Sequence, residues 1–247
     1  MSTIREAGFT AVTNGGTGTN ATVNGGSPGP APGTLELCWL LVANGTPANI
    51  PTPAGWQLIA QRGFDTSGTP TDTLGLYAKV AGTTPVSNVF QSTLAVSAVW
   101  AGVLVALDGV RICDHDGASL TDCITALAAS GYFSDTANLT LTTTQIEAGT
   151  AVNMPNVKSL LSALGTNGAN TTMSVSSVGI SGGATADAAM ANSRLLAASG
   201  DVGSPSFFPP SWFTQFVWSW TATNRRSGSI VAGVQDAPSL SLCGMGC

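Results

Sequence analysis

The chain has 247 residues, 43% of them hydrophobic and only 9% charged, with eight basic against thirteen acidic side chains and a net charge of −5. That length suits one large all-β domain or two small ones, and so little charge leaves a surface built from Thr, Ser, Asn and Gly. The basic residues are scattered singly apart from Arg225 and Arg226, which excludes the electrostatic footprint of a nucleic-acid binder.

Taken in order, MSTIREAGFTAVTNGG lacks a cationic segment followed by an apolar one, so no secretory signal is expected. Residues 1–34 read as an extended arm with two short strands, Gly8 to Thr13 and Asn20 to Val23, separated by the turn chemistry of NGGTGT. Strands are expected at Thr34 to Asn44, Trp56 to Gly63 and Thr73 to Ala81. In the last, Leu74, Leu76, Ala78 and Val80 alternate with Gly75, Tyr77 and Lys79, the period of a half-buried strand. A short edge strand is expected at Asn88 to Phe90.

The organising stretch is Thr93 to Val110. Residues 94–107 carry one polar side chain, Ser97, and both parities are apolar, so a strand here is covered on both faces. A membrane-spanning helix needs about 20 apolar residues, and Asp108 and Arg111 close this run too early. Residues 111–137 form a Cys-bracketed excursion with one helical turn at Leu120 to Ala128, and a strand follows at Ala137 to Thr144.

The second half repeats the first in pattern. Val157 to Leu164 corresponds to TLELCWLLV, Val175 to Ile180 to WQLIAQ, Ala186 to Ala198 to the YAKVAG strand, and Ser227 to Val234 to WAGVLVAL. A further strand is expected at Trp212 to Thr221. The repeat implies two similar antiparallel strand sets in one sandwich, although the Ala-rich segment 184–199 also fits a helix. The expected fold is an all-β antiparallel sandwich over residues 35–236, with little helix and a Cys-containing tail at 237–247.

Five cysteines, Cys38, Cys113, Cys123, Cys243 and Cys247, are an odd number, so at least one thiol is free or paired between chains. Their spacings with a single His115 do not form a four-ligand zinc set. A Cys113 to Cys123 bridge would close a short loop, worth roughly 3 kcal/mol, and Cys243 and Cys247 in the glycine-flanked tail suit a cross-link to a neighbouring subunit. His115 between Asp114 and Asp116 meets no EF-hand pattern and has no nucleophile elbow to serve, so no catalytic residue, metal or cofactor is expected. Phe207 and Phe208, in a proline-rich loop, and Trp212 are partner-contact candidates.

The ordered combination of IPTPAGWQLIAQ, LGLYAKVAG and VSAVWAGVLVALDGV resembles a β-sandwich module of tailed-bacteriophage structural proteins, carried by Pro53, Gly55, Trp56, Tyr77, Lys79, Val80, Gly82 and Trp100. The cysteines, the 111–137 excursion and the CGMGC tail depart from that pattern. The resemblance implies a jelly-roll-like fold and a place on a virion assembled in the host cytoplasm. It leads to the expectation of a non-enzymatic accessory capsid protein that decorates and cements the particle, forms a homo-oligomer with other virion proteins as partners and intermolecular disulfides, and binds neither nucleic acid nor membrane. A neck, collar or tail protein is the alternative within that class, and a receptor- or glycan-binding adhesin the alternative outside it.

Overall fold

Nine-residue strands of alternating or wholly apolar residues are long enough to cross a sheet once. The chain builds two such sheets from them. The structure, a computed structural model, describes residues 5–27, 29–43, 46–64, 72–82, 88–110, 120, 124–130, 157–167, 173–178, 180–190, 193–202, 215–220 and 227–235.

The first half supplies β1 (Arg5–Gly26), β2 (Leu35–Ala43), β3 (Gln57–Phe64), β4 (Asp72–Val80) and β5 (Asn88–Asp108), with a 3-10 turn at Pro47–Asn49. The second half supplies β6 (Thr125–Ser130), β7 (Val157–Asn167), β8 (Met173–Val178), β9 (Ile180–Ala189), β10 (Ser193–Val202), β11 (Gln215–Trp220) and β12 (Ser227–Gln235). Every pairing is antiparallel.

Sheet 1 runs β1-β5-β2-β4-β3 and sheet 2 runs β6-β12-β7-β10-β9, while β8 and β11 form a separate two-stranded ribbon. Set the β8 and β11 ribbon aside, and the five strands of sheet 2 repeat the order of sheet 1: first, fifth, second, fourth, third. The pattern repeat in the sequence is thus a topological repeat. The sheets stack so that β1 lies by β9, β3 by β6, and β2 by β7 and β10, the arrangement a two-fold axis through the sandwich produces. Among the described strands, β1 to β5 complete sheet 1 before the strands of sheet 2 begin.

The expected β3 counterpart, Val175 to Ile180, spans β8 and only the first residue of β9; β9 itself takes that place, and β10 takes that of β4. The helix alternative for 184–199 is overturned, because Ala186, Ala188, Leu195 and Ala197 all turn inward from a β9–β10 hairpin. At 120–128, Ile124 N donates to Leu120 O at 2.9 Å and β6 begins at Thr125; residues 121–123 lie outside the described residues. Ala137 to Thr144 lies outside the described residues.

Between the sheets sits the main core. Leu37, Trp39 and Leu41 of β2, Leu74, Leu76 and Ala78 of β4, and Ala101, Val103 and Val105 of β5 meet Leu161, Ala163, Leu195, Ala197, Ile230 and Ala232 of sheet 2. Asp72 and Ser193, both buried, share a hydrogen bond across the sheets, Ser193 Oγ donating to Asp72 Oδ2 at 3.3 Å.

A second core lies on the opposite, outer face of sheet 1, and strand length explains it. At about 3.3 Å per residue, β5 with 21 residues would run about 70 Å, far beyond its nine-residue neighbour β2. It therefore bends. Gly18 pairs with Ala98 and Asn20 with Thr93, so residues 94–97 of β5 bulge against a single residue of β1. Past that bulge the β1–β5 ribbon turns back over sheet 1: Val23, ten residues along the ribbon from Thr13, presses on Gly102, the partner of Thr13.

The fold-back places Ala21, Val23, Phe90 and Leu94 over Cys38, Leu40, Tyr77 and Leu104. From Ala98 to Leu107 the strand apolar on both faces is covered on both, by sheet 2 on one side and by its own beginning on the other, whereas Ala95 and Val96, in the bulge, are exposed. Residues 14–19, read as turn chemistry, are strand with bulges, and residues 5–26 form the edge of sheet 1.

Candidate functional site: an ion pair beneath the Trp56 turn

The residues that carry the family resemblance come together. Pro53 and Gly55 make the tight turn before β3, closed by Trp56 N donating to Pro53 O at 3.1 Å. Gly55 has φ +77°, a backbone region that glycine enters without strain. The turn drops Trp56 onto the outer face of sheet 1, where its ring meets Phe90 edge-on at 5.1 Å. Phe90 in turn lies 5.0 Å from the Tyr77 ring. Trp100 joins the same cluster and fills the space over Gly16, where an added Cβ would overlap its indole.

Two residues on from Tyr77, and so on the same face, Lys79 pairs across the ladder with Glu36. Its Nζ stands 3.2 Å from Glu36 Oε2 and 4.7 Å from the centre of the Trp56 ring, so one ammonium serves a carboxylate and an indole face. Glu36 is 2% exposed and Lys79 17%. Above them opens a cleft of about 390 Å³ walled by Pro30, Trp56, Val80 and Val89. Glu36 and Lys79 both line it.

Burial raises the Glu36 carboxyl above its ordinary value of 4.5, and the charge and hydrogen bond of Lys79 counter only part of that shift. The folded chain therefore holds this proton more tightly than the unfolded chain does. Glu36 contributes a stabilisation that is complete below the ordinary glutamate value and is lost as pH rises through the raised one. Measured by urea titration between pH 4 and pH 7, the parent protein should lose stability with rising pH more steeply than Glu36→Gln, which keeps an acceptor for Lys79 and cannot titrate. Parallel slopes would contradict the assignment.

Of the cysteines, all of them disulfide candidates from the sequence, Cys38 is described: it is a free thiol with 0% exposure, its Sγ 3.7 Å from Trp39 O. Burial pushes this thiol well above its ordinary range, so it is protected both sterically and by protonation. A maleimide should leave Cys38 unmodified in the native protein and modify it fully in denaturant, as read by peptide mass; native modification would place it elsewhere. Cys113, Cys123, Cys243, Cys247, Phe207, Phe208, Trp212, His115 and its flanking Asp114 and Asp116 lie outside the described residues. Among the described residues no three His, Cys, Asp or Glu side chains gather into a metal-holding group.

Sequence reasoning named Lys79 and Trp56 as motif residues but did not see their partner. The signal was present in TLELCWLLVA: a lone Glu near the start of an otherwise apolar strand, buried with it, needs a counter-charge. No family model matches the chain, and no curated protein or solved structure matches it.

Proposed function

We propose that this protein is a structural, non-catalytic component of a tailed-phage virion, an accessory capsid protein that binds the particle surface and stabilises it, with disulfides from the tail and excursion cysteines reinforcing the shell. One observation carries this reading. The residues of the module motif are not scattered over the chain's surface; Trp56, Tyr77 and Trp100 pack into one cluster, and Lys79 reaches over the Trp56 ring beside it. They act as the masonry of a folding unit, which is what a module reused for assembly requires.

The composition supports the same reading. A surface poor in charge and rich in hydroxyls suits close contact with neighbours, where each buried charge would need a partner.

The experiment is to disrupt the gene in the source phage and heat the purified particles. Particles without the protein should release their DNA at a lower temperature than the parent, and added protein should bind them and restore it. Particles of unchanged heat resistance that take up none of the added protein would overturn the proposal.

A further inference from the structure

β1 lies at the edge of its sheet and, among the described strands, forms its ladder with β5 alone. It is joined to β2 by eight residues, SPGPAPGT. The far end of that linker is fixed at home, since Gly33 N donates to Ala81 O and Ala81 N to Thr34 O, both at 2.9 Å. The near end, Ser27 to Pro30, is proline- and glycine-rich, and eight residues reach about 26–29 Å when extended.

The seat that β1 occupies is specific to it. Gly16 accepts the Trp100 ring, and Val23 fills the space over Gly102; a side chain added at position 16 would overlap the indole, and a smaller one at position 23 would leave a void. Ala21 and Val23, both fully buried, complete the outer core. The same ladder and the same two contacts form whichever copy supplies the strand, so exchange costs no interface, and a short hinge invites it.

We propose that β1 is exchanged between neighbouring copies of this chain, the Trp100–Gly102 seat and β5 edge of one copy receiving the β1 of another. The exchange links subunits without a covalent bond. It goes beyond the virion reading and does not rest on it, because purified protein suffices for the test.

Thr22 and Gln91 are directly opposed on β1 and β5, and Gln91 is exposed. Two singly substituted chains, Thr22→Cys and Gln91→Cys, are co-expressed, purified, oxidised mildly, and their bridges mapped by mass spectrometry. Exchange predicts a bridge between positions 22 and 91 in a species of twice the 24.7 kDa chain mass, absent when the two chains are mixed only after folding. A bridge that forms in the doubly substituted single chain but not between co-expressed chains overturns the proposal, as does equal bridging in chains mixed after folding. Should the first pair fail to fold, Asn20→Cys with Thr93→Cys repeats the test at an opposed pair whose native side chains hydrogen-bond at 3.4 Å.

Discussion

Trp39→Ala is expected to remove about 3–5 kcal/mol of folding stability, the range for truncating a buried large aromatic. Trp39 is the largest of the fully buried side chains and sits on β2, the middle strand of sheet 1, facing sheet 2. Its neighbours Leu76 and Val103 belong to the flanking strands at the same register level, so the hole would open at the centre of the sandwich, where neither sheet can close it. Against a total stability of about 5–15 kcal/mol for a folded domain, the variant should unfold at a far lower urea concentration. Trp39→Phe should cost much less. It keeps most of the volume and removes an indole N–H that has no hydrogen-bond partner among the described residues, a group whose burial is itself unfavourable. If the alanine variant lost less than about 1 kcal/mol, the central packing described above would be wrong.

Gly102→Ala is expected to cost about 1–3 kcal/mol by overpacking, and to do so through one neighbour. The new methyl would overlap Val23 Cγ2, and the other nearby atom, Trp39 O at 3.4 Å, stays within ordinary contact. Val23→Ala alone should also destabilise, by about 1.6 kcal/mol for two buried methyl groups at about 0.8 each. Combined, the two substitutions should be less damaging than their sum, because the methyl that position 102 gains enters the space that position 23 vacates. A coupling of about 0.5–3 kcal/mol is the size expected for residues in contact. Strict additivity in urea titrations of the four proteins would mean that the ribbon does not fold back over sheet 1.

Much of the sandwich was legible because its signals are local. The two-faced apolar run around Val99 to Leu107 required cover on both sides, and the repeated pattern of strands required two similar sheets. The fold-back was not legible, because its cause is a mismatch in length between two strands that pair far apart in sequence. Gly15, Gly16 and Gly18 read as a turn when seen alone; paired with β5 they are the bulges that let a 22-residue strand bend.

Residues 184–199 misled for a related reason. Their alanines favour a helix in isolation, but Ala186, Ala188 and Ala197 are also small enough to let two sheets approach, and packing decided. Glu36 was overlooked because its partner is 43 residues away in sequence and only strand register makes them adjacent. The other four cysteines and the aromatic candidates Phe207, Phe208 and Trp212 lie outside the described residues, so the described fold neither gathers nor separates them.

The measurement that bears most directly on the virion assignment is quantitative mass spectrometry of purified particles, with the copy number of this chain referred to that of the major capsid protein. The account predicts a fixed ratio that holds through successive density-gradient purifications and places many copies on each particle, as surface decoration requires. Loss of the chain on purification would contradict it, and so would a ratio that differs from one preparation to the next.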